Sequence, residues 1–289
     1  MLNVPVTYRF NFDCTNDVTR PYVMHEFAAN EAKCLVLGEI LLRMIMGNRT
    51  MAEKLEHEMA AEGLVFCDAH AVAGAYLDLN CPIAEARAEM LLRHKLQLQI
   101  TASMGVKTIA IHTGNEKVYP EYPIETQYEY IKRSLEELLP LAEKLGIVIC
   151  IENTWFQLST AERMLGLMQD FSCESLGFCY DSGHANLMDK GRNSPDSAAY
   201  RAWGDVPPQF EDKLLEKLLP NVVNCHLHDN DGISDQHLNI GRGNIDWMQI
   251  NSLLKQAPRL QVVQSEVNQI MAHDSIRDIC EKFRWFQQL

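Results

Sequence analysis

The sequence predicts an α/β protein with the (β/α)8 TIM-barrel fold, in which residues 1–289 form a single domain. Short apolar runs alternate with longer amphipathic segments, which is typical of βα units that build a parallel sheet. Polar side chains also gather where the apolar runs end, and active sites of such barrels lie at the carboxyl ends of the strands. A chain of this length could form two domains, but α/β barrels of this size commonly form one.

Eight apolar runs are predicted to be strands, at residues 4–10, 34–37, 64–70, 107–112, 147–152, 175–181, 222–226 and 260–266. The second run is ambiguous, because residues 31–46 are rich in Leu, Met and Ala and could instead form one helix. Helices are predicted at residues 82–104, 125–145, 246–255 and 274–286, and Gly146 is a stop signal for the second of them. Residues 194–209 contain three prolines and are predicted to be an irregular insertion.

The composition argues against several classes of protein. A net charge of -13 disfavours nucleic acid as a partner, because the surface as a whole repels phosphates. We find no apolar stretch of about 18 residues that would cross a membrane, and no signal-peptide pattern at the N-terminus. The nine cysteines form no Cys-x-x-Cys pair and several lie within apolar runs, so we expect buried free thiols in a cytoplasmic protein.

The stretch with the most reactive side chains is residues 224–247, which begins within the seventh apolar run. Six of the twelve residues 226–237 carry an imidazole or a carboxylate: His226, His228, Asp229, Asp231, Asp235 and His237. Imidazoles combined with carboxylates favour Zn, Mn, Fe or Co over Ca or Mg as a bound ion. A polar loop that merely faces solvent is the alternative interpretation.

Two glutamates, Glu152 and Glu266, end the fifth and the eighth apolar runs. A carboxylate beneath a barrel mouth is unfavourable unless it is paired or bound to a metal ion. Strands five and eight can face each other across a barrel, so this pair could bind a metal ion and also transfer protons. A structural glutamate held in a salt bridge is the alternative for each.

Other strand ends carry histidine and aspartate. Asp181 and His184 lie three residues apart on a predicted turn and can reach one centre, whereas an aspartate cap and a solvated histidine are the alternative. His70 and His112 end the third and fourth runs, where a histidine is often simply hydrogen-bonded within the core. The remaining histidines fall on helix-like segments and are predicted to lie on the surface: His25, His57, His94 and His273.

Four motifs resemble those of the xylose-isomerase-like TIM-barrel superfamily: Ile-Glu152-Asn, Tyr-Asp181-Ser-Gly-His184, His226-Leu-His-Asp229 and Asp235-Gln-His237. That superfamily includes sugar-phosphate isomerases, sugar epimerases and zinc-dependent apurinic endonucleases. The resemblance extends from about residue 64 to the end, and the first sixty residues match only in the order of elements. It implies a core metal site made of Glu152, Asp181, His226 and Glu266. His226 is preferred to His228 because the family has an acid three residues after this histidine.

The apurinic endonucleases of the superfamily hold three zinc ions with nine ligands. This chain resembles them in having a residue of the same type for each of the nine ligands. The matching positions are His70, His112, Glu152, Asp181, His184, His226, Asp235, His237 and Glu266. The resemblance therefore implies a divalent cofactor, Zn or Mn, and allows more than one ion per chain. Sugar isomerases with the Asp-x-His-x-x-x-Gly pattern also exist, so the pattern does not decide between the two activities.

We expect a metal-dependent isomerase or epimerase that acts on a small sugar or sugar phosphate. Glu152 and Glu266 would be the catalytic groups that remove and return a proton through an enediolate, and His184 would position substrate oxygens. Ketose 3-epimerases hold substrate with an arginine six residues after the metal-binding histidine, but this chain has Gly232 there. Arg242 is the nearest replacement and is expected to bind substrate.

Two other functions stay open: a phosphoesterase resembling the apurinic endonucleases, and a sugar-binding barrel without catalysis. The basic residues near the expected mouth number four, which is few for a DNA duplex: Lys117, Lys190, Arg192 and Arg242. The expected partner is therefore a small molecule, with no nucleic acid and no membrane, and a homo-oligomer remains compatible with the sequence. The number of bound ions would separate these functions, because one ion favours isomerisation and two or three favour hydrolysis.

Overall fold

A computed structural model of the protein describes residues 1–189 and 194–289. Eight parallel strands close into a barrel in the order in which they occur along the chain, so the predicted (β/α)8 fold is confirmed. The strands are β1 (Val6–Tyr8), β2 (Cys34–Leu37), β3 (Val65–His70), β4 (Thr108–His112), β5 (Val148–Glu152), β6 (Leu176–Asp181), β7 (Val222–Leu227) and β8 (Val262–Ser265).

Helices connect the strands and cover the outside of the barrel. Within the described ranges they are α1 (Thr19–Ala29), α2 (Glu39–Gly47), α3 (Thr50–Ala61), α4 (Ala84–Ser103), α5 (Ile124–Leu145), α6 (Ala161–Asp170), α7 (Ser182–Leu187), α8 (Ala198–Trp203), α9 (Leu214–Leu218), α10 (Trp247–Leu254), α11 (Gln269–Ala272) and α12 (Ile276–Gln288). None of these helices, in the part of the chain that the structure describes, has the length and apolar composition needed to cross a bilayer.

The ambiguous segment 31–46 contains both a strand and a helix. Gly38 lies between β2 and α2 and has an extended backbone, with φ -79° and ψ 175°, which interrupts any continuous helix. All four residues of β2 are buried, as expected for a strand that is covered on both faces. The predicted helix at 125–145 is confirmed as α5, and Gly146 ends it in the left-handed conformation with φ 66°.

The prediction that residues 194–209 are irregular is wrong in part, because they contain α8. Ser197 begins this helix, and its side chain accepts a hydrogen bond from the backbone N–H of Tyr200. Trp203 at the end of α8 is buried and donates from Nε1 to the carbonyl oxygen of Trp155 at 3.0 Å. A short helix between prolines therefore packs against the segment that follows β5, beside the barrel mouth.

The prediction that the cysteines are free thiols is wrong for Cys34 and Cys67, which form a disulfide between β2 and β3. The register of these strands shifts between Leu35 and Val36, so β3 has one extra residue there, and that residue is Cys67. The shift brings the two Cα atoms to 5.6 Å, within the range of disulfides. Sequence spacing alone contains no sign of this local irregularity.

The barrel interior is built from alternate residues of each strand. The outward residues, such as Tyr8, Ile151 and Leu227, belong to the large apolar core under the helices. The inward residues just below the mouth form a layer of small or polar side chains, called here the middle layer: Thr7, Val36, Asp68, Ala110, Cys150, Cys179, Asn224 and Gln264. Bulky branched aliphatic residues usually fill this space in TIM barrels, so the polar content of the middle layer is unusual.

Candidate metal centre

The barrel mouth brings together all nine residues that the sequence analysis selected as candidate ligands. His70, His112, Glu152 and Asp181 are the last residues of β3 to β6. Glu266 directly follows β8. His184 is placed by α7, where the Asp181 carboxylate accepts a hydrogen bond from the His184 backbone N–H at 2.6 Å. Because the carboxyl ends of all eight strands meet at one end of a closed barrel, residues far apart in sequence become neighbours.

The first group of side chains is the predicted core site, Glu152, Asp181, His226 and Glu266. Each of them offers one atom to a set in which all atoms lie within 4.8 Å of one another. His226 Nδ1 lies 3.1 Å from Glu152 Oε2 and 3.3 Å from Glu266 Oε2. All four side chains are buried. Three carboxylates around one imidazole in a buried place favour a bound cation, since their mutual repulsion is otherwise unfavourable.

The second group consists of His70, His112 and Glu152. Nε2 of each histidine lies 3.4 Å from Glu152 Oε2. His70 Nδ1 is 2.8 Å from the carbonyl oxygen of Ala71, and a carbonyl oxygen can only accept, so this nitrogen carries a proton. With Nδ1 fixed by this hydrogen bond, Nε2 is directed at a carboxylate, which is the arrangement of a metal ligand with an oriented second nitrogen.

The third group consists of His184, His228, Asp235 and His237. His184 Nδ1 donates to the carbonyl oxygen of Asn153 at 3.0 Å, and His237 Nδ1 donates to that of Glu266 at 2.9 Å. Nε2 of these rings therefore faces Asp235 Oδ2, at 3.7 Å for His184 and 2.9 Å for His237. Asp235 and His237 thus lie within reach of His184 at the barrel mouth, as predicted from sequence.

His228 is a member of the third group that sequence reasoning set aside in favour of His226. Its Nε2 lies 3.1 Å from Asp181 Oδ1, and its ring stacks on that of His237 with centroids 3.9 Å apart. Residues two apart in an extended segment point to the same face, so His226 in β7 and His228 directly after it both point inward, and this alternation is a usable signal. A Cβ on Gly183 would collide with the His228 ring, so the glycine at this position leaves space for the imidazole.

The loop after β7 is organised by Asp229, which is fully buried. Its carboxylate accepts hydrogen bonds from Gly241 N–H at 2.9 Å and from Trp247 Nε1 at 2.8 Å. The backbones of Asp229 and Leu238 also pair as an antiparallel bridge. Asp229, the acid of the family pattern, therefore shapes the loop that carries Asp235 and His237, and it does not belong to the three groups.

Opposite charges set the protonation of these groups. Burial opposes ionisation of Glu152 and Glu266, but the neighbouring groups together outweigh burial, with His226 the strongest of them, and lower the pKa of both carboxyls well below the usual range. Burial likewise opposes protonation of His112, but the carboxylates of Glu152 and Asp78 together outweigh burial and raise the pKa of His112 to about 9. An ion that binds here must displace protons from imidazoles, so its affinity should rise with pH.

The donor set fits a divalent ion. Among residues 1–189 and 194–289, five of the fifteen buried side-chain atoms without a hydrogen-bond partner belong to these groups: Glu152 Oε2, Asp235 Oδ1, His228 Nδ1, and both ring nitrogens of His226. Buried polar atoms are nearly always satisfied in native proteins. Mixed nitrogen and carboxylate donors at this spacing are those that Zn and Mn accept.

Two arginines differ in their relation to the site. Arg242 Nη1 donates to the carbonyl oxygen of Ala272 at 2.5 Å and lies 3.1 Å from Asp274 Oδ1, so its guanidinium is held next to the segment before α12. The structure does not bring it into the three groups. Arg9, which sequence reasoning missed, directly follows β1 and lies 3.4 Å from Glu266 Oε1 with 42% of its side chain exposed. The Arg9 side chain points inward because side chains along β1 point alternately inward and outward.

The fold and the site together define a class of protein, a TIM barrel whose mouth carries clustered imidazole and carboxylate groups. The chain belongs to the xylose isomerase-like TIM barrel family, whose family model matches residues 41–278. A 3-keto-D-glucoside 4-epimerase from E. coli is similar over 99% of this chain and 100% of that chain, with a TM-score of 0.71 and 13% identity. A D-psicose 3-epimerase is similar over 99% of this chain and 97% of that chain, with a TM-score of 0.67 and 13% identity.

Among the relatives that match in sequence is the uncharacterized protein MJ1311 of Methanocaldococcus jannaschii. It is 29% identical over 150 residues, which are 48% of this chain and 45% of that protein. The match therefore spans about half the length of the relative. At these levels of identity, the solved structures support the fold, and the site must be interpreted from its own residues.

Proposed function

We propose that this protein is a divalent-metal-dependent isomerase or epimerase of a small sugar or sugar phosphate. The observation that carries the proposal is the approach of Glu152 and Glu266 to His226 Nδ1 from β5 and from the end of β8. Two carboxylates on different walls of one mouth can flank a single substrate carbon. The structural similarity to sugar epimerases supports this choice among the activities of the family.

In the proposed reaction, Glu152 or Glu266 removes the proton on the carbon next to a carbonyl group, and the other glutamate returns a proton. The lowered pKa of both carboxyls keeps them ionised, so that either can act as a base. A bound Zn or Mn ion would polarise the carbonyl and hydroxyl oxygens and so stabilise the enediolate. Asp181 and His226 would hold that ion together with the glutamates, while His70 and His112 would contact Glu152 from the second group.

Other side chains at the mouth would bind the substrate. The indole of Trp155 lies edge-on to the His184 ring with centroids 4.7 Å apart, which gives the mouth an aromatic wall suited to a sugar ring. Arg9 would contact the substrate on the Glu266 side, in the role that the sequence analysis gave to Arg242. His184 would position a substrate oxygen or hold a second ion with His228, Asp235 and His237.

A phosphoesterase is the second candidate, and one observation favours it. Glu152 belongs to both the first and the second group, and the third group supplies four further donors. Several ions a few ångströms apart would suit the displacement of a phosphate ester. Elemental analysis of the purified protein separates the candidates, because one ion per chain favours isomerisation and two or three favour hydrolysis.

The test of isomerisation is proton exchange with solvent. We expect the zinc- or manganese-loaded protein to incorporate deuterium from D2O into a member of a ketose and ketose-phosphate panel, as measured by mass spectrometry. Glu266→Gln should abolish the incorporation, because an amide cannot accept the proton. Glu116→Gln is the matched control, since Glu116 is a buried glutamate outside the three groups. Full exchange in both Glu152→Gln and Glu266→Gln would refute the proposed roles.

A further inference from the structure

The middle layer of the barrel contains polar atoms that have no partner within the protein. Thr7 Oγ1, Asn224 Oδ1, and both amide atoms of Gln264 have no hydrogen-bond partner in the described ranges, and all three residues are fully buried. A buried polar group without a partner is unfavourable by about 1–3 kcal/mol. Four such atoms in one layer are therefore too many to be left unsatisfied, and they require a ligand.

The residues that carry these atoms lie on the inner wall beneath the candidate metal centre, and the interior between them is called here the space. Thr7 on β1 and His226 on β7 are the Cα partners of Gln264 on β8, so the three side chains are neighbours on the inner wall. Asn224 Nδ2 reaches across the interior to both carboxylate oxygens of Asp68, at 3.2 and 3.0 Å. The space therefore has a carboxylate and an amide on one side and a second amide and a hydroxyl on the other.

The ring of His226 connects this space to the site above it. Nδ1 faces Glu152 and Glu266, so Nε2, on the opposite edge of the imidazole, faces down towards the middle layer. Nε2 is buried and finds no acceptor among the described residues. A histidine that binds a metal ion almost always donates its other ring N–H to a carboxylate, a carbonyl or a water molecule, which fixes the direction of the ring.

We propose that Gln264, together with Asp68 and Asn224, holds ordered water beneath His226, and that this water accepts the proton of His226 Nε2. Gln264 is then a positioning residue that acts on the metal centre through the orientation of His226. The inference rests on the proposed function, because it assumes that His226 Nδ1 binds a metal ion. A buried water typically makes about three hydrogen bonds, and the side chains around this space offer that number.

The thiol of Cys179 is the competing acceptor. Cys179 lies in the middle layer on β6, and its sulfur belongs to a set of atoms within 4.8 Å of one another that includes His226 and Glu152. A thiol sulfur is a weak acceptor, and one sulfur would leave Thr7, Asn224 and Gln264 unsatisfied. The two acceptors make different predictions for substitutions, so they can be separated.

The experiment measures the affinity of the full-length protein for Zn²⁺ by competition with a chromogenic chelator. Gln264→Leu keeps the side-chain size but cannot bind water, and we expect its affinity to fall about 10- to 100-fold, as for other residues that orient metal ligands. Val36→Ala is the control, because it removes apolar volume from the same layer without removing a polar atom. Cys179→Ala should leave the affinity within about twofold. Thermal denaturation of each ion-free variant shows whether it folds.

The outcomes are distinct. If the unsubstituted protein binds no divalent ion, the proposed function fails and this inference fails with it. If it binds Zn²⁺ and Gln264→Leu binds equally tightly, or if Cys179→Ala alone weakens binding, only this inference is overturned. Should Gln264→Leu not fold, a crystal structure of the unsubstituted protein decides: ordered water between Gln264 and His226 supports the inference, and a dry interior overturns it.

Discussion

Single residues at the mouth act in more than one group, and Glu152 is the main example. Its two oxygens lie near four histidines: His70, His112, His184 and His226. Removing this carboxylate would therefore affect the first and second groups together. Glu266 belongs to the first group, although it also lies close to His70 of the second. Measured effects of substitutions here should not be additive, as is usual for residues in direct contact.

His94 shows the effect of burial on a single histidine, and the prediction that it lies on the surface is wrong. It sits in α4 with 2% of its surface exposed, and its Nε2 donates to the carbonyl oxygen of Leu77 at 2.8 Å. Burial lowers the pKa of His94 to about 4. Helical periodicity places His94 on α4 but does not reveal that the segment before the helix folds back over it.

The lowered pKa of His94 predicts a loss of stability in acid. The folded protein binds this proton less readily than the unfolded chain, whose histidine pKa is about 6.5. The contribution of neutral His94 to the free energy of unfolding is therefore fully present above pH 6.5. It is lost as the pH falls towards 4, by up to about 3 kcal/mol. Urea unfolding at pH 7.5 and 4.5 should show a smaller acid-induced loss in His94→Gln. His57→Gln, at an exposed histidine, should behave like the unsubstituted protein.

At the scale of elements, the strands and their ends were accessible from sequence, whereas the loops were not. Alternating apolar runs identified the strands, and Glu152, Asp181 and Glu266 were found because each ends or follows such a run. The disulfide, the helix α8 and the position of Arg242 depend on contacts between distant segments, and local patterns contain no information about them. Arg9 was missed because β1 carries no motif, although it ends at the same mouth.

The loop after β7 gives a prediction about stability. Asp229→Ala would leave four donors without an acceptor: those of Asn230 and Trp247, which are buried, and those of Gly241 and Ile245, whose hydrogen bonds are partly buried. We expect the free energy of unfolding to fall by about 3 kcal/mol or more, as measured by urea denaturation.

Asp231 provides the matched control for Asp229. It lies two residues further along the loop and also accepts backbone hydrogen bonds, from Ile233 and Ser234, but it is exposed. Water can replace the lost acceptor there, so Asp231→Ala should change the unfolding free energy by less than about 1 kcal/mol. Equal losses in the two variants would show that the buried hydrogen bonds of Asp229 do not hold the loop.

The whole molecule carries a net charge of -13, and two of the basic side chains expected near its mouth are engaged by other groups of the protein. Lys117 Nζ donates to the carbonyl oxygen of Arg201 at 2.6 Å, and Arg242 contacts Asp274. Lys190 and Arg192 lie outside the described residues. A DNA duplex needs many cationic contacts with phosphates, whereas one sugar phosphate needs one or two.

We therefore expect no detectable cleavage of an abasic oligonucleotide at physiological salt, even when the protein is loaded with zinc or manganese. The assay resolves nicked from intact strands on a denaturing gel, with a known nuclease as the positive control. Efficient, metal-dependent nicking that is lost in Glu266→Gln would reverse the order of the two candidate functions and favour the phosphoesterase.

The hydrogen bonds of Asp229 also have a consequence for the rate at which ions enter the site. These hydrogen bonds anchor the loop through contacts within the protein, so we expect Asp235 and His237 to face His184 whether or not an ion is bound. Capture of Zn²⁺ should then be a single bimolecular step, without a preceding or following rearrangement. In stopped-flow measurements the observed rate constant should rise linearly with ion concentration, and a plateau would reveal that the loop must first move.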